Sequence, residues 1–146
     1  LMAGSEAVAI GAIRAGAKFA AIYPMTPING VLNYLAAKGI EYSIVVKEPE
    51  DEIAGLNMAL GASFAGTRAL VATSGGGFSL MVEALGLAAQ TETPIVIVEG
   101  MRPGPATGLP TWTDQGDLQF ILHAAKVSFH ELLWRLEMFL KGLSIP

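Results

Sequence analysis

The chain has 146 residues, enough for one domain with a substantial hydrophobic core. A net charge of −4 and the lack of a basic run argue against nucleic-acid binding, and no apolar run reaches the ~18 residues of a membrane-spanning helix. Cysteine is absent, which excludes disulfides, thiol nucleophiles and cysteine-ligated iron–sulfur clusters from these residues and fits a cytoplasmic protein.

Helical and strand patterns alternate along the chain. Helices are predicted at residues 5–16, 28–38, 51–66, 79–91 and 115–123, and strands at 18–24, 42–47, 69–74, 94–100 and 124–129. Because the strands are apolar throughout, we predict an α/β fold in three layers, a parallel sheet with helices on both faces. Ligands bind at the carboxyl ends of such strands, so the residues that follow each strand are the first site candidates.

The first candidate segment is "YPMTP" at residues 23–27, directly after the first predicted strand. Two prolines flank Thr26 and fix the backbone, so its hydroxyl and N–H group are expected in a rigid turn before a helix. The same pattern also suits an ordinary strand-to-helix turn in which Thr26 or Pro27 caps the helix.

Four carboxylates crowd the start of the third predicted helix: Glu48, Glu50, Asp51 and Glu52. The helix dipole favours negative charge there, so the first three are interpreted as caps and local charges. Glu52 differs, because it enters the helix "EIAGLNMALGAS", whose other positions are almost all small or apolar. A carboxylate carried into such surroundings needs a partner that uses it.

The segment "TSGGGFS" at residues 73–79 places three glycines before a predicted helix. Glycine lets the backbone approach a ligand closely, and helix N–H groups favour an anion. The pattern is neither GxGxxG nor a phosphate loop with its lysine, so a tight turn under close packing explains it equally well.

Arg102 follows the fourth predicted strand and opens the one long loop, "MRPGPATGLPTWTD" at residues 101–114. Its rigid, proline-flanked setting suits an arginine that binds a carboxylate through two parallel hydrogen bonds, although a surface arginine is the alternative. The last stretch, residues 130–146, has one broad apolar face and is predicted to be a helix that packs on the core or on a partner.

Taken together, these segments resemble the alpha subunit of 2-oxoacid:ferredoxin oxidoreductases. The resemblance rests on "GSEAVAIGAIRAGAKFAAIYPMTP", on "EPEDEIAGLNMALGASFAGTRALVATSGGGFSLMVEALGLAAQTETPIVIVEG" and on "RPGPATGLPTWTDQGDL", and covers about residues 4–127. It implies the pyrimidine-binding domain of a thiamine diphosphate enzyme, expected at residues 1–128. Residues 129–146 are then a C-terminal helical segment, truncated or discontinuous with what precedes it.

The resemblance also implies roles for single residues. In thiamine diphosphate enzymes one glutamate bonds N1′ of the aminopyrimidine, and this glutamate usually begins a small-residue helix with a glycine nine positions on. Glu52 and Gly61 fit that spacing, so Glu52 is the expected catalytic residue. Thr26 and Arg102 are expected to hold the substrate carboxylate. Further expected positions are Pro24, Ser74, Gly75 and Gly77 at the cofactor, and Thr107, Gly108 and Gln115 in a loop over the active site.

The resemblance implies partners as well. The chain lacks the GDG motif with a downstream asparagine that usually binds the metal of thiamine diphosphate. A beta subunit is therefore expected to supply Mg²⁺ and a 4Fe-4S cluster, with gamma and delta subunits as further candidates. Coenzyme A is the expected co-substrate and ferredoxin the electron acceptor. Only 15% of the residues are charged, which suits a chain partly covered by another subunit.

Two other functions fit part of the pattern. A Rossmann-like nucleotide binder would use the glycines at 75–77, but no GxGxxG follows the first predicted strand. A catalytically silent regulatory or interaction subunit would keep the fold, yet it would have no need to retain Glu52, Thr26 and Arg102 together. Among oxidoreductases of this family, those acting on 2-oxoglutarate or on 2-oxoacids in general resemble the chain most, ahead of those specific for pyruvate.

Overall fold

Helices and strands alternate along residues 1–102 and 116–124, the part of the chain that this computed structural model describes. The helices are α1 (Gly4–Arg14), α2 (Asn29–Tyr42), α3 (Glu52–Phe64), α4 (Gly75–Gln90) and α5 (Asp117–His123). The strands are β1 (Phe19–Ala21), β2 (Val45–Lys47), β3 (Ala69–Thr73) and β4 (Val96–Glu99). Outside the described residues lie Thr107, Gly108, Gln115, the boundary at 128, nearly all of the predicted strand at 124–129 and the predicted helix at 130–146.

The four strands form one parallel sheet in the order β2-β1-β3-β4. From β1 the chain moves through α2 to β2 on one side, whereas from β3 it moves through α4 to β4 on the other side. The connections therefore diverge between the neighbouring strands β1 and β3, and this divergence leaves a crevice at their carboxyl ends. The strand order thus fixes where a ligand site can form.

Two hydrophobic clusters cover the two faces of the sheet. Ala20 and Leu70 face α1 and α2, whereas the next residues along the same strands, Ala21 and Val71, face α3 and α4. This separation follows from the two-residue period of a strand, and right-handed crossovers place the helices accordingly. The predicted three-layer α/β architecture is confirmed.

Some predicted boundaries are wrong. The second helix was expected to end at 38, but α2 continues through Gly39 to Tyr42 and shortens β2 to three residues. The chain then reverses at Ser43, which adopts a left-handed conformation, and Ile44 N–H bonds the carbonyl of Gly39. A Cβ on Gly39 would lie 3.0 Å from the Ile44 carbonyl oxygen, so glycine here permits a tight reversal and does not end the helix.

No helix within residues 1–102 and 116–124 is both long enough and apolar enough to cross a bilayer.

Two apolar residues of α2 test the packing of the hydrophobic core. Leu35 of α2 is 0% exposed and Ile40 is 99% exposed. We expect Leu35→Ala to lower the free energy of unfolding by about 2–5 kcal/mol, because it leaves a cavity under α2. Ile40→Ala, the matched control, should change it by less than about 0.5 kcal/mol. Urea unfolding of the two variants measures both; equal losses would contradict the placement of α2.

Candidate active site at the carboxyl edge of the sheet

The segments that follow the four strands meet at one edge of the sheet. Residues 23–28 follow β1, residues 48–51 follow β2, Ser74 follows β3, and residues 100–102 follow β4. The N-termini of α3 and α4 point to the same edge, since both helices run back along the sheet, and helix N-termini stabilise nearby negative charge. The geometry therefore favours an anionic group or ligand at this edge.

Glu52 is the first residue of α3 and lies in this crevice. Asp51, extended at the N-cap, accepts a hydrogen bond of 2.7 Å from Ala54 N–H, as its interpretation as a cap requires. That bond fixes the start of the helix and turns the next side chain inward. Glu52 is only 5% exposed, and within the described residues no group donates a hydrogen bond to its carboxylate. Glu48 and Glu50 are exposed.

The carboxylate of Glu52 lies against the first turn of α4. A Cβ built on Gly77 would lie 2.8 Å from both Cγ and Oε1 of Glu52, and would also collide with the hydroxyl of Thr73. Any residue other than glycine at this position would push Glu52 away or lift the helix. Gly77 therefore forms a cradle for the glutamate.

The predicted glycine turn at 75–77 is wrong in one respect. These residues are not a loop before a helix at 79; they form the first turn of α4, with Ser74 as the extended N-cap. Glycine has a poor helix propensity, which made a turn the natural expectation. Tertiary packing outweighs that propensity, because the missing side chain at Gly77 admits Glu52.

The loop after β1 touches the loop after β4. A Cβ built on Gly100 would lie 2.6 Å from Cγ2 of Ile28 and 3.0 Å from Cγ of Pro27. This contact brings the exposed Thr26 into the same region as the segment that carries Arg102. Neither Thr26 nor Pro27 caps the following helix, since α2 begins at Asn29 with Ile28 at the N-cap.

Arg102 is tied to the start of α4. Its Nε donates a hydrogen bond of 3.0 Å to the hydroxyl of Ser74, which is itself buried. Because Nε lies in the guanidinium plane, this bond restricts how the plane can rotate. The structure thus joins two of the predicted site residues directly, and Glu52 and Gly77 form a second joined pair.

Glu99, the last residue of β4, belongs to the same edge and was missed by the sequence analysis. Burial, the neighbouring carboxylate of Asp117 and a hydrogen bond with it raise the pKa of Glu99 to about 7, against smaller opposing effects of the Gly75 backbone and Arg102. One of its oxygens, Oε1, is buried and has no hydrogen-bond partner within residues 1–102 and 116–124. The sequence does contain a signal for Glu99: a carboxylate at the end of an apolar strand, on the carboxyl edge of the sheet.

Among the residues described, no group of three or more histidine, cysteine, aspartate or glutamate side chains is arranged to hold a metal ion.

Comparison with protein families gives a match over residues 10–132. The matching family is the thiamine diphosphate-binding domain of pyruvate flavodoxin/ferredoxin oxidoreductases. These residues include the crevice and every described residue of the candidate site.

Two curated relatives illustrate the similarity. The 2-oxoacid:ferredoxin oxidoreductase 1, subunit alpha, of Sulfurisphaera tokodaii is 45% identical, across 89% of this chain and 23% of the relative. The 2-oxoglutarate synthase subunit KorA of Archaeoglobus fulgidus is 49% identical, across 80% of this chain and 34% of the relative. The chain therefore spans about a quarter to a third of the length of these relatives.

Among solved structures, the chain is similar to a 2-oxoglutarate:ferredoxin oxidoreductase from Magnetococcus marinus with 2-oxoglutarate, coenzyme A and succinyl-CoA bound. The TM-score is 0.80 at 43% identity, covering 86% of this chain and 22% of that one. The fold of a thiamine diphosphate-binding domain is thereby shown for this chain.

Two glycines of α4 test the cradle. Gly77→Ala should lower the free energy of unfolding by about 1–3 kcal/mol, because the new methyl group overlaps Glu52 and Thr73. Gly86→Ala is the matched control, since nothing lies within 4 Å of its Cβ position, and it should stabilise the helix by roughly 0.5–1 kcal/mol. Thermal unfolding measures both variants. If both substitutions change the free energy of unfolding in the same direction, the packing of Glu52 against Gly77 is contradicted.

Proposed function

The chain belongs to the thiamine diphosphate-binding family of pyruvate flavodoxin/ferredoxin oxidoreductases, and we propose that it supplies the pyrimidine-binding half of an active site shared with a beta subunit. The complete enzyme is a 2-oxoacid:ferredoxin oxidoreductase. It decarboxylates a 2-oxoacid oxidatively to an acyl-CoA and passes the electrons to ferredoxin. The names of the relatives support the reaction class, and the coenzyme A and succinyl-CoA bound to the Magnetococcus enzyme support the co-substrate.

The observation that carries this proposal is the carboxylate of Glu52, which is 5% exposed in the Gly77 cradle and has no hydrogen-bond partner among the described residues. A buried carboxylate without a hydrogen-bond donor costs free energy that only a suitable partner offsets. The protonated N1′ of an aminopyrimidine is such a donor, and the position of Glu52 in the crevice supports this pairing. Glu52 fits the cofactor, and its role is to hold a proton at that ring nitrogen.

When bound, thiamine diphosphate supplies the nucleophilic carbon that adds to the keto group and the electron sink that decarboxylation needs. The chain contributes the environment of the pyrimidine. Gly75 and Gly77 present the first turn of α4 without side chains, and Ser74 is buried at its N-cap. Pro24, at the carboxyl end of the β1 segment, is assigned to the opposite wall of the cofactor site.

Arg102 and Thr26 are assigned to the carboxylate of the 2-oxoacid. The bond from Arg102 to Ser74 orients the guanidinium, and a planar guanidinium matches a carboxylate in a geometry that a lysine does not offer. The contact between Gly100 and Pro27 keeps the two loops together. Thr107, Gly108 and Gln115 are proposed to lie in the loop over this site.

The beta subunit is proposed to hold the diphosphate with its Mg²⁺ and a 4Fe-4S cluster. The curated relatives are named as subunits, one as subunit alpha and the other as subunit KorA, which implies an assembly of several subunits; gamma and delta subunits are further candidates. Exposed apolar side chains on the two helices that frame Glu52 suit such an assembly: Ile53, Phe64, Leu80 and Leu87. Burying them against a partner would also exclude water from the crevice.

The test of the reaction uses Glu52→Gln in the full-length protein, co-expressed with its beta-type partner. Reduction of a low-potential dye is followed with several 2-oxoacids, with and without thiamine diphosphate. We expect the wild type to require the cofactor and the variant to lose at least about 100-fold in kcat, because the amide cannot hold the proton at N1′.

Glu50→Gln is the matched control, since it makes the same chemical change two residues away on an exposed side chain, and it should keep wild-type activity. Wild-type turnover in Glu52→Gln would refute the catalytic assignment. A fully assembled, cluster-loaded wild-type complex without activity would point instead to a catalytically silent regulatory subunit.

Arg102→Ala tests the substrate site separately. Loss of a hydrogen bond to a charged group costs about 1.5–3 kcal/mol, so KM for the 2-oxoacid should rise roughly 10- to 100-fold. Steady-state kinetics with the same dye measure the change. Arg14→Ala, an exposed substitution at the end of α1, should leave KM unchanged. An unaltered KM in Arg102→Ala would show that this arginine does not hold the carboxylate.

A further inference from the structure

Thr73 is a buried polar residue with no role in the reaction described so far. It is the last residue of β3, and the four residues before it, 69–72, are apolar. Its side chain is 0% exposed. Because a buried hydroxyl costs free energy unless a polar group pairs with it, threonine at this position calls for such a group nearby.

The pleat of β3 turns Thr73 toward the crevice. Val71 faces α3 and α4, whereas Ala72 faces α1 and α2. Successive side chains of a strand point to opposite faces, so Thr73 faces α3 and α4 as Val71 does. The hydroxyl therefore lies on the same side of the sheet as the carboxylate of Glu52.

The Gly77 cradle shows that the two side chains are neighbours. A Cβ built on Gly77 would overlap Oγ1 of Thr73, and it would lie 2.8 Å from both Cγ and Oε1 of Glu52. The hydroxyl and the carboxylate thus border the same methyl-sized space, which stays open because residue 77 is glycine. Three segments meet there: the end of β3 and the first turns of α3 and α4.

Within residues 1–102 and 116–124, neither group has a strong hydrogen bond. The Thr73 hydroxyl donates one, to the carbonyl of Ser74, at 3.4 Å, whereas O–H···O bonds are usually about 2.7–2.8 Å long. Among the same residues no group donates to the carboxylate of Glu52. A hydroxyl rotates to suit an acceptor, and a carboxylate accepts several hydrogen bonds, so the two groups are complementary.

We propose that Thr73 is a positioning residue, whose hydroxyl donates to one carboxylate oxygen of Glu52 and leaves the other oxygen for the cofactor. The inference rests on the function proposed above and adds to it the residue that sets the direction of the catalytic carboxylate. Thr73 acts through Glu52, and it has no assigned contact with the substrate.

A glutamate needs such a partner because its side chain turns about several bonds. Packing against Gly77 limits where Cγ and Oε1 of Glu52 lie, but it leaves the plane of the carboxylate free to rotate. A hydrogen bond from Thr73 removes that freedom. Catalytic groups work best when they are held within about 0.5 Å of the productive geometry, so the loss of this bond should slow the reaction.

The first test replaces Thr73 by valine in the full-length protein, assembled with its beta-type partner. Valine keeps the branched shape and removes the hydroxyl. We expect the Kd for thiamine diphosphate to rise roughly fivefold and kcat to fall roughly 10-fold, as for the loss of one hydrogen bond. KM for the 2-oxoacid should stay within about twofold, because Thr26 and Arg102 are unchanged. Calorimetric titration without 2-oxoacid measures the Kd, and the dye assay measures kcat and KM.

Two further variants separate positioning from packing. Thr73→Ser keeps the hydroxyl and loses a methyl group, so it should restore the Kd and kcat to within about twofold of the wild type. Thr93→Val is the matched control, because Thr93 is also buried but lies before the start of β4, where its hydroxyl is 2.8 Å from that of Thr91. It should leave the Kd and kcat unchanged.

A double-mutant cycle with Glu52→Gln supplies a readout that needs neither turnover nor cofactor. Melting temperatures of the cofactor-free complex are compared for the wild type, for each single variant and for the double variant. Thr73→Val should lower the melting temperature less in the Glu52→Gln background than in the wild type, since a hydroxyl bonds a neutral amide more weakly than a carboxylate.

The outcomes are distinguishable. A wild type that binds thiamine diphosphate and turns over, with an unchanged Kd and kcat in Thr73→Val, overturns the role of Thr73 alone. Equal losses in the valine and serine variants, or the same loss of melting temperature in both backgrounds, would show that Thr73 only fills space. A fully assembled wild-type complex that neither binds the cofactor nor reduces the dye overturns the proposed function and this inference with it.

Discussion

The close approach of two helix N-termini governs the organisation of this site. Helix α3 brings Glu52 into the crevice, and α4 can pack against it only because Gly77 lacks a side chain. If either helix moved outward, the carboxylate would become solvated and the crevice would widen. The helix propensity lost at three successive glycines is offset by this contact and by the apolar packing of α3 on α4.

The order of the strands determines where the contact between α3 and α4 lies. Since the connections leave β1 and β3 in opposite directions, the crevice between them stays free of crossing chain, and the loops after all four strands can contribute to it. Proline at position 27 and glycine at position 100 then lock two of these loops together.

Charge is distributed unevenly within the site. Glu52 is 5% exposed and lies against Gly77, and among the described residues no group donates a hydrogen bond to its carboxylate. Glu99, by contrast, shares its surroundings with a second carboxylate and an arginine, and the pKa of about 7 follows from burial and that neighbouring charge. The same edge of the sheet therefore holds two carboxylates in different surroundings.

The sequence by itself determined the α/β class, the parallel sheet and the family, because periodicity, apolar runs and family motifs carry that information. It also predicted a site at the carboxyl ends of the strands, with Glu52, Thr26 and Arg102 as candidates. Only the tertiary structure decided that the glycines at 75–77 begin a helix, that α2 passes through Gly39, and that the carboxylate of Asp117 packs against Gly75. Each of these depends on contacts between segments distant in sequence, and local propensity does not encode such contacts.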